Sequence, residues 1–401
     1  MRDIAIVGGG ASGIAAAITA AQAGAHVVLF EAGKRIGRSI LVSGNGRCNW
    51  SNAQVSASDY ANGAFVAQAF AACPPQRVWD WFTELGLLSV REAGGKMYPA
   101  SNKATSVLDV LRFRLDELGV SVACECRVKS VRPVHASSRG TRWSVRFEDG
   151  HDERFDAVLV ACGGGIERGL LPEGYSFVKR APRLCPLRTD RDSVKGLDGV
   201  RVKGAATLLH DGAPIAEETG EIQFRSFGVS GIGIFNLSRF ARVGDLVRLD
   251  LLPELDEDQL AAELAGRSER FALRPAEQAL AGAVLPPVAR AALRQAGVDP
   301  ARPLARRDAA RVARCLKYYE VRIERFEEKS AQVRQGGVAV DQVDPATMGS
   351  LRDAGLHVMG EALDVDGPCG GFNLHWAWTC GLLAGTAAAN AIASGGRELG
   401  R

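Results

Sequence analysis

The residues with the clearest chemical meaning are three glycines spaced G-x-G-x-x-G, directly after an apolar run at the start of the chain. Gly8 permits a tight turn out of a strand, Gly10 lets the backbone approach a pyrophosphate, and Gly13 lets the next helix pack close to that strand. Backbone N–H groups at the helix start, near Ala11 and Ser12, point towards the same phosphates. The pattern predicts a dinucleotide-binding turn.

An acidic residue follows at the spacing that such a turn requires. The apolar residues 26–30 predict the next strand, which ends at Glu31 and Ala32, eighteen residues after Gly13. A carboxylate in this position can bind both hydroxyls of an adenosine ribose. Glycine-rich turns between strands and helices are common, but the complete unit of strand, turn, helix, strand and acid is specific for a dinucleotide.

The C-terminal part of the chain contains another apolar strand followed by glycines and a helix. Residues 355–359 predict an apolar strand, and glycines 370 and 371 open a helix that is predicted to extend to residue 393. A Rossmann sheet that takes its last strand from the C-terminus is an FAD-type arrangement, whereas a compact NAD domain uses contiguous βαβ units. The residues therefore predict FAD as the cofactor.

The start of this last helix has the electrostatics that a flavin requires. Negative charge grows around the N1–C2=O edge of a flavin during reduction, and a helix N-terminus supplies N–H donors and a positive dipole end. Glu361 and Asp364 are placed to meet ribityl hydroxyls. His375 follows Asn373 at the start of this helix, so contact with flavin or substrate is an alternative to the structural role that we favour for it. The alternative is that the glycines only allow a tight turn. The candidate residues are Gly360, Glu361, Asp364, Gly371, Phe372, Asn373 and Leu374.

Residues 43–49 form the most unusual local stretch. Alternating small residues let backbone amides face a ligand, and Arg38 and Arg47 carry charge that neutralises phosphate. Cys48 beside a flavin could act as a redox partner, but the nearest cysteine along the chain is Cys73, so packing or flavin contact is favoured. The candidate residues are Ser43, Gly44, Asn45, Gly46, Arg47, Cys48 and Asn49.

A third glycine run follows a buried-type strand that ends at Ala161 and Cys162. Gly163 and its two glycine neighbours could begin a second nucleotide fold for NAD(P)H. The segment that follows is too short for the helix of such a fold, because it stops at Pro172. We interpret the run as a crossing of the chain beside the adenosine half of FAD, without a dedicated nicotinamide domain.

Composition limits the other classes of protein. The 401 residues are 46% hydrophobic and 24% charged, which allows two or three globular domains. The formal net charge of +3, without a dense basic block, gives no reason to expect a nucleic-acid partner. The sequence lacks an uncharged apolar run of about 20 residues, so it predicts no membrane span.

The cysteines and histidines point to a reduced, metal-free protein. Nine cysteines, an odd number spread over a long chain, do not make a disulfide framework and suit the cytoplasm. The histidines show no metal-ligand spacing. Cys124 and Cys126 are predicted to share one face of a strand over residues 120–132, where core packing is favoured over a metal site.

Composition also indicates how the chain is divided. Residues 1–186 and 335–401 are predicted to form one discontinuous FAD-binding domain, with helices over 65–85 and 106–118. The insertion begins as β structure over 187–255, continues as a helical subdomain over 256–317, and returns as a strand over 318–334. The turn Asp211-Gly212 predicts a hairpin within the first β part.

Several of these stretches together resemble the bacterial NAD(P)/FAD-dependent oxidoreductase family, which includes BaiN-type proteins and aminoacetone-oxidase-like FAD enzymes. The resemblance covers nearly the whole chain, and S-G-N-G-R-C-N and G-E-x-L-D-x-x-G are its most specific segments. The matching stretches are residues 7–13, 41–49, 97–102, 336–338 and 360–374.

The resemblance implies an α/β fold: a glutathione-reductase-like FAD-binding Rossmann domain, discontinuous, with an inserted β-barrel-like domain and a small helical subdomain. It implies FAD contacts at the glycine turn, Glu31, the loop at 43–49, the backbone near Val128, Ala161 to Gly163, and residues 360–374. Residues 172–175 and 225–232 depart from the family pattern near the substrate side. FAD binding is therefore predicted more firmly than any substrate.

The predicted function is an FAD-dependent oxidoreductase that transfers a hydride through flavin N5. We favour reduction of a small or polycyclic organic molecule by NAD(P)H that binds transiently. Two alternatives stay open: an amine oxidase that uses O2, and a flavin-binding sensor or assembly protein without turnover. No residue pair singles itself out as a catalytic acid or base, and the oligomeric state is left open.

Overall fold

The computed structural model describes residues 2–136 and 140–390. Its strands are β1 Asp3–Val7, β2 His26–Phe30, β3 Ser51–Asn52, β4 Ser89–Arg91, β5 Lys96–Pro99, β6 Ser121–Ala123, β7 Val128–Ala136, β8 Gly140–Phe147, β9 Asp152–Phe155, β10 Ala157–Val160, β11 Phe177–Arg183, β12 Leu187–Thr189, β13 Arg201–His210, β14 Ala213–Arg225, β15 Gly228–Ser230, β16 Leu246–Asp250, β17 Tyr319–Phe326, β18 Val333–Val338 and β19 Leu356–Val358. Its helices are α1 Ala11–Gln22, α2 Arg38–Val42, α3 Gly63–Ala72, α4 Pro75–Glu84, α5 Ala104–Glu117, α6 Arg191–Val194, α7 Ile232–Leu237, α8 Glu257–Arg270, α9 Ala276–Ala279, α10 Pro286–Gln295, α11 Ala309–Lys317 and α12 Phe372–Asn390.

The chain forms two compact units. The first unit contains residues 2–181 and 334–390 of the described chain, and the second unit contains residues 182–333. The chain therefore leaves the first unit once and returns to it once, which is the discontinuous arrangement that the sequence predicts.

A five-stranded parallel sheet forms the centre of the first unit. Its strand order is β19-β10-β1-β2-β6, and Ile6 of β1 lies between Leu159 of β10 and Leu29 of β2. The strands β1 and β10 are almost entirely buried, as expected for parallel strands covered on both faces. Val358 of the last strand pairs with Val160, so the C-terminal part completes a sheet that the N-terminal part begins.

The helices α1 and α12 approach each other closely because α12 has glycines at the contact. A Cβ atom at Gly381 would lie 2.6 Å from both the carbonyl oxygen of Ser12 and the Cβ of Ala15. A Cβ at Gly385 would lie 2.6 Å from the carbonyl oxygen of Ala16. The N-terminal and C-terminal helices of the first unit therefore touch backbone to backbone.

The prediction of one strand over residues 120–132 is wrong. The structure divides this segment into β6 and β7, and Glu125 between them has a left-handed φ of +57°. The N–H groups of Glu125 and Cys126 bond to the carbonyl oxygens of Gly33 and Glu31, each at 2.9 Å. Because these bonds turn the chain away from the sheet, Cys124 and Cys126 do not share the face of one strand.

The predicted helix over residues 65–85 is two helices. The helix α3 ends before Cys73, and α4 begins at Pro75. Two consecutive prolines, Pro74 and Pro75, lack backbone N–H groups and restrict the residue before them, so a continuous helix cannot pass through this point. The predicted helix over residues 106–118 is present as α5.

The second unit contains a closed barrel of six strands in the order β12-β15-β14-β13-β16-β17. The predicted hairpin joins β13 to β14, and its residues Asp211 and Gly212 have φ values of +49° and +82°, as a type I′ turn requires. The helices α8 to α11 lie between β16 and β17 in the chain. Their side chains, including Leu264 and Leu316, share one buried core with the barrel strands. The inserted barrel and helical part confirm the predicted fold class.

Within the described ranges, we find no helix with both the length and the apolar character needed to cross a bilayer.

Candidate functional site

The first glycine turn has the geometry that the sequence predicts. Gly8 has a φ of +112°, and a Cβ there would lie 2.5 Å from the carbonyl oxygen of Ala161. A Cβ at Gly13 would lie 1.9 Å from the carbonyl oxygen of Gly8. Gly10 differs, because its φ is −83° and a Cβ there would meet nothing closer than Ser39 Oγ at 3.8 Å. The fold requires Gly8 and Gly13, whereas Gly10 leaves space beside the helix start.

The N-terminus of α1 is free to receive an anion. No side chain caps this helix, and its first turn carries no acidic side chain. A Cβ at Gly360 would lie 2.8 Å from Ser12 Oγ, so the turn Gly360–Ala362 packs directly against the start of α1. Uncapped N–H groups beside the space at Gly10 fit a pyrophosphate.

Glu31 lies at the end of β2, and the backbone holds both of its carboxylate oxygens. Oε2 accepts the N–H of Gly9 at 2.8 Å, and Oε1 accepts the N–H of Gly33 at 2.6 Å. Each carboxylate oxygen has a second lone pair that can accept a ribose hydroxyl. The two backbone bonds therefore orient this carboxylate beside the glycine turn, and Ala32 next to it is exposed.

The third glycine run does not begin a second nucleotide-binding unit. Gly163–Gly165 forms a single 3-10 turn. A Cβ at Gly164 would lie 2.7 Å from Glu361 Oε1, so the run crosses next to the C-terminal segment. Burial raises the pKa of Cys162 to about 12, which keeps its thiol protonated at neutral pH.

The two C-terminal acids bind the strand β18 as it returns to the first unit. Glu361 Oε1 accepts the N–H of Arg334 at 2.8 Å, and Asp364 Oδ1 accepts the N–H of Gly336 at 2.9 Å. Burial raises the pKa of Glu361, although backbone hydrogen bonds from Arg334 and Gly164 oppose that shift. Contact of either acid with ribityl hydroxyls stays a prediction, and Asp364 Oδ2 already accepts a hydrogen bond from Asn62 Nδ2 at 3.2 Å.

The loop at residues 43–49 consists largely of left-handed backbone. Gly44, Asn45, Gly46 and Cys48 have φ values of +55°, +55°, +80° and +57°. A left-handed conformation costs about 1 to 2 kcal/mol at a residue with a side chain. Neighbouring parts of the structure must therefore hold this loop in place.

Arg47 holds the loop against the β4–β5 hairpin and the turn after it. Its guanidinium donates hydrogen bonds to Asn102 Oδ1 and Glu92 Oε1, and it lies 4.0 Å from the centre of the Tyr98 ring. The charge of Arg47 is therefore used within the protein, a role that its position in the sequence did not show. Arg38 is exposed and forms no ion pair with a described residue, so it is the arginine available to a phosphate.

Cys48 is fully buried, and its backbone N–H bonds to the carbonyl oxygen of Ser43 at 3.1 Å. Burial raises the pKa of this thiol to about 11, and a hydrogen bond with the Ser43 side chain only partly offsets that shift. A thiolate is required for redox chemistry at neutral pH. The geometry favours packing at Cys48 over a redox role.

The start of α12 is fixed by backbone contacts that require glycine. Gly371 has a φ of +100°, and a Cβ there would lie 2.2 Å from the carbonyl oxygen of Ser51. The Asn373 amide accepts the N–H of Gly367 at 2.8 Å and donates to its carbonyl oxygen at 2.9 Å. Asn373 therefore stabilises the loop that leads into the helix.

Four other candidate residues lie at separate places in the first unit. Asn49 Oδ1 accepts the N–H of Met97 at 3.1 Å, and the carbonyl oxygen of Phe372 accepts the Tyr60 hydroxyl at 2.8 Å. Leu374 is half-buried in the first turn of α12. Val128 is half-buried at the start of β7, which follows the turn beside Glu31.

A buried polar cluster beneath the start of α12 was not found from the sequence. Ser51 Oγ lies 2.9 Å from His375 Nδ1, and Trp79 Nε1 donates to Ser51 Oγ at 2.8 Å. Because the indole N–H can only donate, the Ser51 hydroxyl can direct its proton to His375 Nδ1. Burial lowers the pKa of His375 to about 3, so its ring is neutral in the folded protein. The predicted structural role of His375 agrees with this burial.

The free energy of unfolding is expected to fall as the pH drops from about 6.5 towards 4. Burial lowers the pKa of His375 to about 3 and that of His357 to about 4, from an ordinary value of 6.5. Both histidines bind protons more readily in the unfolded chain, so the stability present above pH 6.5 is lost as the pH falls. Each contributes a slope of up to about 1.4 kcal/mol per pH unit.

Urea unfolding followed by tryptophan fluorescence at several pH values measures this slope. His375→Gln should remove about half of it. His26→Gln alters an exposed histidine of the same unit and serves as the control. An unchanged slope in the His375 variant would contradict the neutral buried state.

These features together define a class of protein. The parallel Rossmann sheet carries an open glycine turn, an uncapped helix start and a terminal acid at β2, and its last strand and helix come from the C-terminal part. The open position at Gly10 and the two held oxygens of Glu31 fit the pyrophosphate and ribose of FAD. The class is that of the FAD-binding Rossmann proteins.

Comparison with known proteins places the chain within this class. The family described as HI0933-like protein Rossmann domain matches residues 2–387, and the chain belongs to this family. It is 32% identical to the 3-dehydro-bile acid delta(4,6)-reductase of Clostridium scindens, over 97% of this chain and 99% of the relative. The protein is an FAD-dependent oxidoreductase.

Two further relatives have a different kind of substrate. The chain is 26% identical to the ribosomal RNA dihydrouridine synthase of Haemophilus influenzae, over 93% of this chain and 95% of that protein. It is 27% identical to the ribosomal RNA dihydrouridine synthase of Escherichia coli, over 94% and 95% of the two chains.

Proposed function

We propose that the protein uses NAD(P)H to reduce a small or polycyclic organic substrate at a carbon–carbon double bond conjugated to a carbonyl group. The observation that carries this proposal is the likeness to the Clostridium scindens reductase, at 32% identity over 97% of this chain. That relative is named for reduction at positions 4 and 6 of a bile acid with an oxidised 3-position. A double bond conjugated to a carbonyl accepts a hydride at one carbon and a proton at its neighbour.

The residues of the chain supply binding and orientation for this reaction. FAD, when bound, supplies the hydride carrier between the nicotinamide and the substrate. The uncapped start of α1 would hold the pyrophosphate, and Glu31 would hold the adenosine ribose. The protonated thiols of Cys48 and Cys162 support no thiol redox step, and the neutral His375 is not an acid near pH 7.

The nicotinamide donor is proposed to bind only transiently. In residues 2–136 and 140–390, only one parallel sheet of the Rossmann type is formed. The third glycine run, which could have started another, is a 3-10 turn. A cytoplasmic location is part of the same proposal, supported by nine cysteines of which none forms a disulfide within the described chain.

A second candidate function is the reduction of a uridine base in ribosomal RNA. Two relatives that match 93% and 94% of this chain carry out dihydrouridine synthesis in ribosomal RNA. Conversion of uridine to dihydrouridine also adds hydrogen across a double bond conjugated to a carbonyl. This candidate involves the same chemistry as the first one. It contradicts the prediction that the protein has no nucleic-acid partner.

Anaerobic stopped-flow absorbance tests the proposed reaction. We expect NADPH or NADH to bleach the visible absorbance of the flavin, and a 3-oxo-Δ4 steroid to restore it. Bleaching by a small amine, without bleaching by either nicotinamide, would instead support an amine oxidase. Restoration by a uridine-containing RNA, and not by the steroid, would favour the second candidate.

A further inference from the structure

Basic side chains are concentrated in the later part of the helical subdomain of the second unit. Residues 256–317 contain eleven basic and eight acidic side chains, but four of the acidic ones lie at 256–263, so residues 264–317 contain eleven basic and only four acidic side chains. Ten of the eleven basic residues are arginines. Because the apolar side chains of α8, α10 and α11 fill the core of the unit, the arginines lie mainly at its surface.

Several of these arginines meet at one end of α8. The guanidinium groups of Arg270 and Arg274 lie 5.9 Å and 4.4 Å from the centre of the Phe271 ring, so both are held near one point. Arg306 pairs with Glu269 and thereby joins the 3-10 turn before α11 to the end of α8. The two segments present their basic side chains together.

Two more arginines extend the same surface. The carbonyl oxygen of Arg302 accepts the N–H of Ala276 at 2.7 Å, which places this residue beside the start of α9. The side chain of Arg302 is 84% exposed. Its Nε lies 3.5 Å from Asp299 Oδ2, which is a long distance for an ion pair. Arg307 is exposed next to Arg306. We name this surface the arginine face, and it consists of Arg270, Arg274, Arg302, Arg306 and Arg307.

The arginine face carries positive charge that the described chain leaves uncompensated. Arg270, Arg274 and Arg307 are exposed and form no ion pair within residues 2–136 and 140–390. Arg270 and Arg274, which meet at the Phe271 ring, repel each other, and this is unfavourable unless an anionic partner offsets the repulsion. A planar guanidinium matches a phosphate with two parallel hydrogen bonds, so clustered arginines favour a polyphosphate partner.

An acidic membrane surface is the competing partner, and the arginine face suits it poorly. Among the described residues, Leu273, 96% exposed, is the one exposed large apolar side chain directly next to a residue of the arginine face along the chain. Interfacial binding to a bilayer requires a broad apolar face together with the basic residues. One leucine supplies too little apolar area for that mode.

We infer that the arginine face binds the phosphate backbone of an RNA. The choice of RNA among polyphosphates rests on the second candidate function, whereas the existence of the face rests on charge and geometry alone. Contacts with phosphates position a protein on a nucleic acid without specifying its sequence. The arginine face would therefore hold RNA substrates of many sequences and leave the choice of base to the reaction site.

Fluorescence anisotropy of the oxidised holoenzyme with a fluorescein-labelled RNA hairpin of about 20 nucleotides tests this inference over about 50 to 200 mM salt. The combined variant Arg270→Gln, Arg274→Gln and Arg307→Gln removes three charges without breaking an ion pair. Its affinity should fall roughly 10- to 100-fold, and the slope of log Kd against log salt should decrease by about 3. The assay contains no nicotinamide, so its result is independent of the reductase reaction.

The matched control neutralises three exposed cations of the first unit, with Arg112→Gln, Lys129→Gln and Arg154→Gln. This variant should keep the affinity and the salt slope of the unaltered protein. Equal losses in both variants, or no binding by the unaltered protein, would overturn the inference. Tighter binding to a DNA duplex than to RNA would also overturn it, as would arginine-dependent binding to phosphatidylglycerol vesicles without RNA binding.

Discussion

Replacement of Gly10 with valine is expected to give a folded protein that purifies without flavin colour. The structure has room for the side chain itself, since a Cβ at Gly10 would meet nothing closer than Ser39 Oγ at 3.8 Å. That room is where the pyrophosphate of FAD should lie, so the branched side chain would exclude the cofactor. Overfilling such a space costs up to about 3 kcal/mol, which raises the Kd for FAD roughly 100-fold.

Calorimetric titration of the apoprotein with FAD measures the change in Kd, and the absorbance of the purified protein gives the flavin content. Gly169→Val is the matched control, because a Cβ at this exposed glycine would have no neighbour within 4 Å. Gly13→Val should fail to fold, since its Cβ would lie 1.9 Å from a backbone oxygen. A Gly10 variant that copurifies with stoichiometric flavin would disprove the assignment of the turn.

Replacement of Gly381 with valine should strongly destabilise the first unit. A Cβ at this position would lie 2.6 Å from the Ser12 carbonyl oxygen, so α12 would have to move away from α1. Overpacking between two backbones that cannot shift separately costs about 3 kcal/mol or more. The free energy of unfolding should fall by this amount, and FAD affinity should fall with it, because the Gly360–Ala362 turn packs against Ser12 at the start of α1.

Urea unfolding followed by tryptophan fluorescence is specific for this unit, because all six tryptophans of the chain lie in it. Gly169→Val is again the matched control, because it introduces the same side chain into the same unit, at an exposed position where a Cβ would have no neighbour within 4 Å. This control should change the stability by less than about 1 kcal/mol. A Gly381 variant as stable as the control would show that the two terminal helices do not depend on their close contact.

Some functional residues could be predicted from the sequence because their roles depend on nearby residues and on one topological rule. Gly8 and Gly13 are required by a turn that spans six residues, and the structure shows the two backbone contacts that require them. The return of the chain at residues 355–359 predicts the last parallel strand, and Val358 pairs with Val160 as that rule requires.

Other roles could not be predicted because they depend on which distant segments come together. Ser51 and His375 are 324 residues apart, and no local pattern signals their hydrogen bond. Arg47 has the chemistry of a phosphate ligand, yet its partners Glu92 and Asn102 come from a hairpin and a turn with no visible link to it in the sequence. A charged side chain binds the nearest suitable partner, and only the fold determines which partner that is.

The sequence by itself determined the FAD-type Rossmann domain, an insertion with a β part and a helical part, and the positions of the glycine turn and Glu31; that the β part is a barrel was implied only by the family resemblance. These depend on hydrophobic periodicity and on glycine positions that few other residues can occupy. Only the tertiary structure decided where the strand over residues 120–132 breaks, which arginine is left for a phosphate, and that five arginines of a nearly neutral chain share one surface. The physical reason is that net charge and spacing are sums along the chain, whereas electrostatic interactions and hydrogen bonds act over a few ångströms in space.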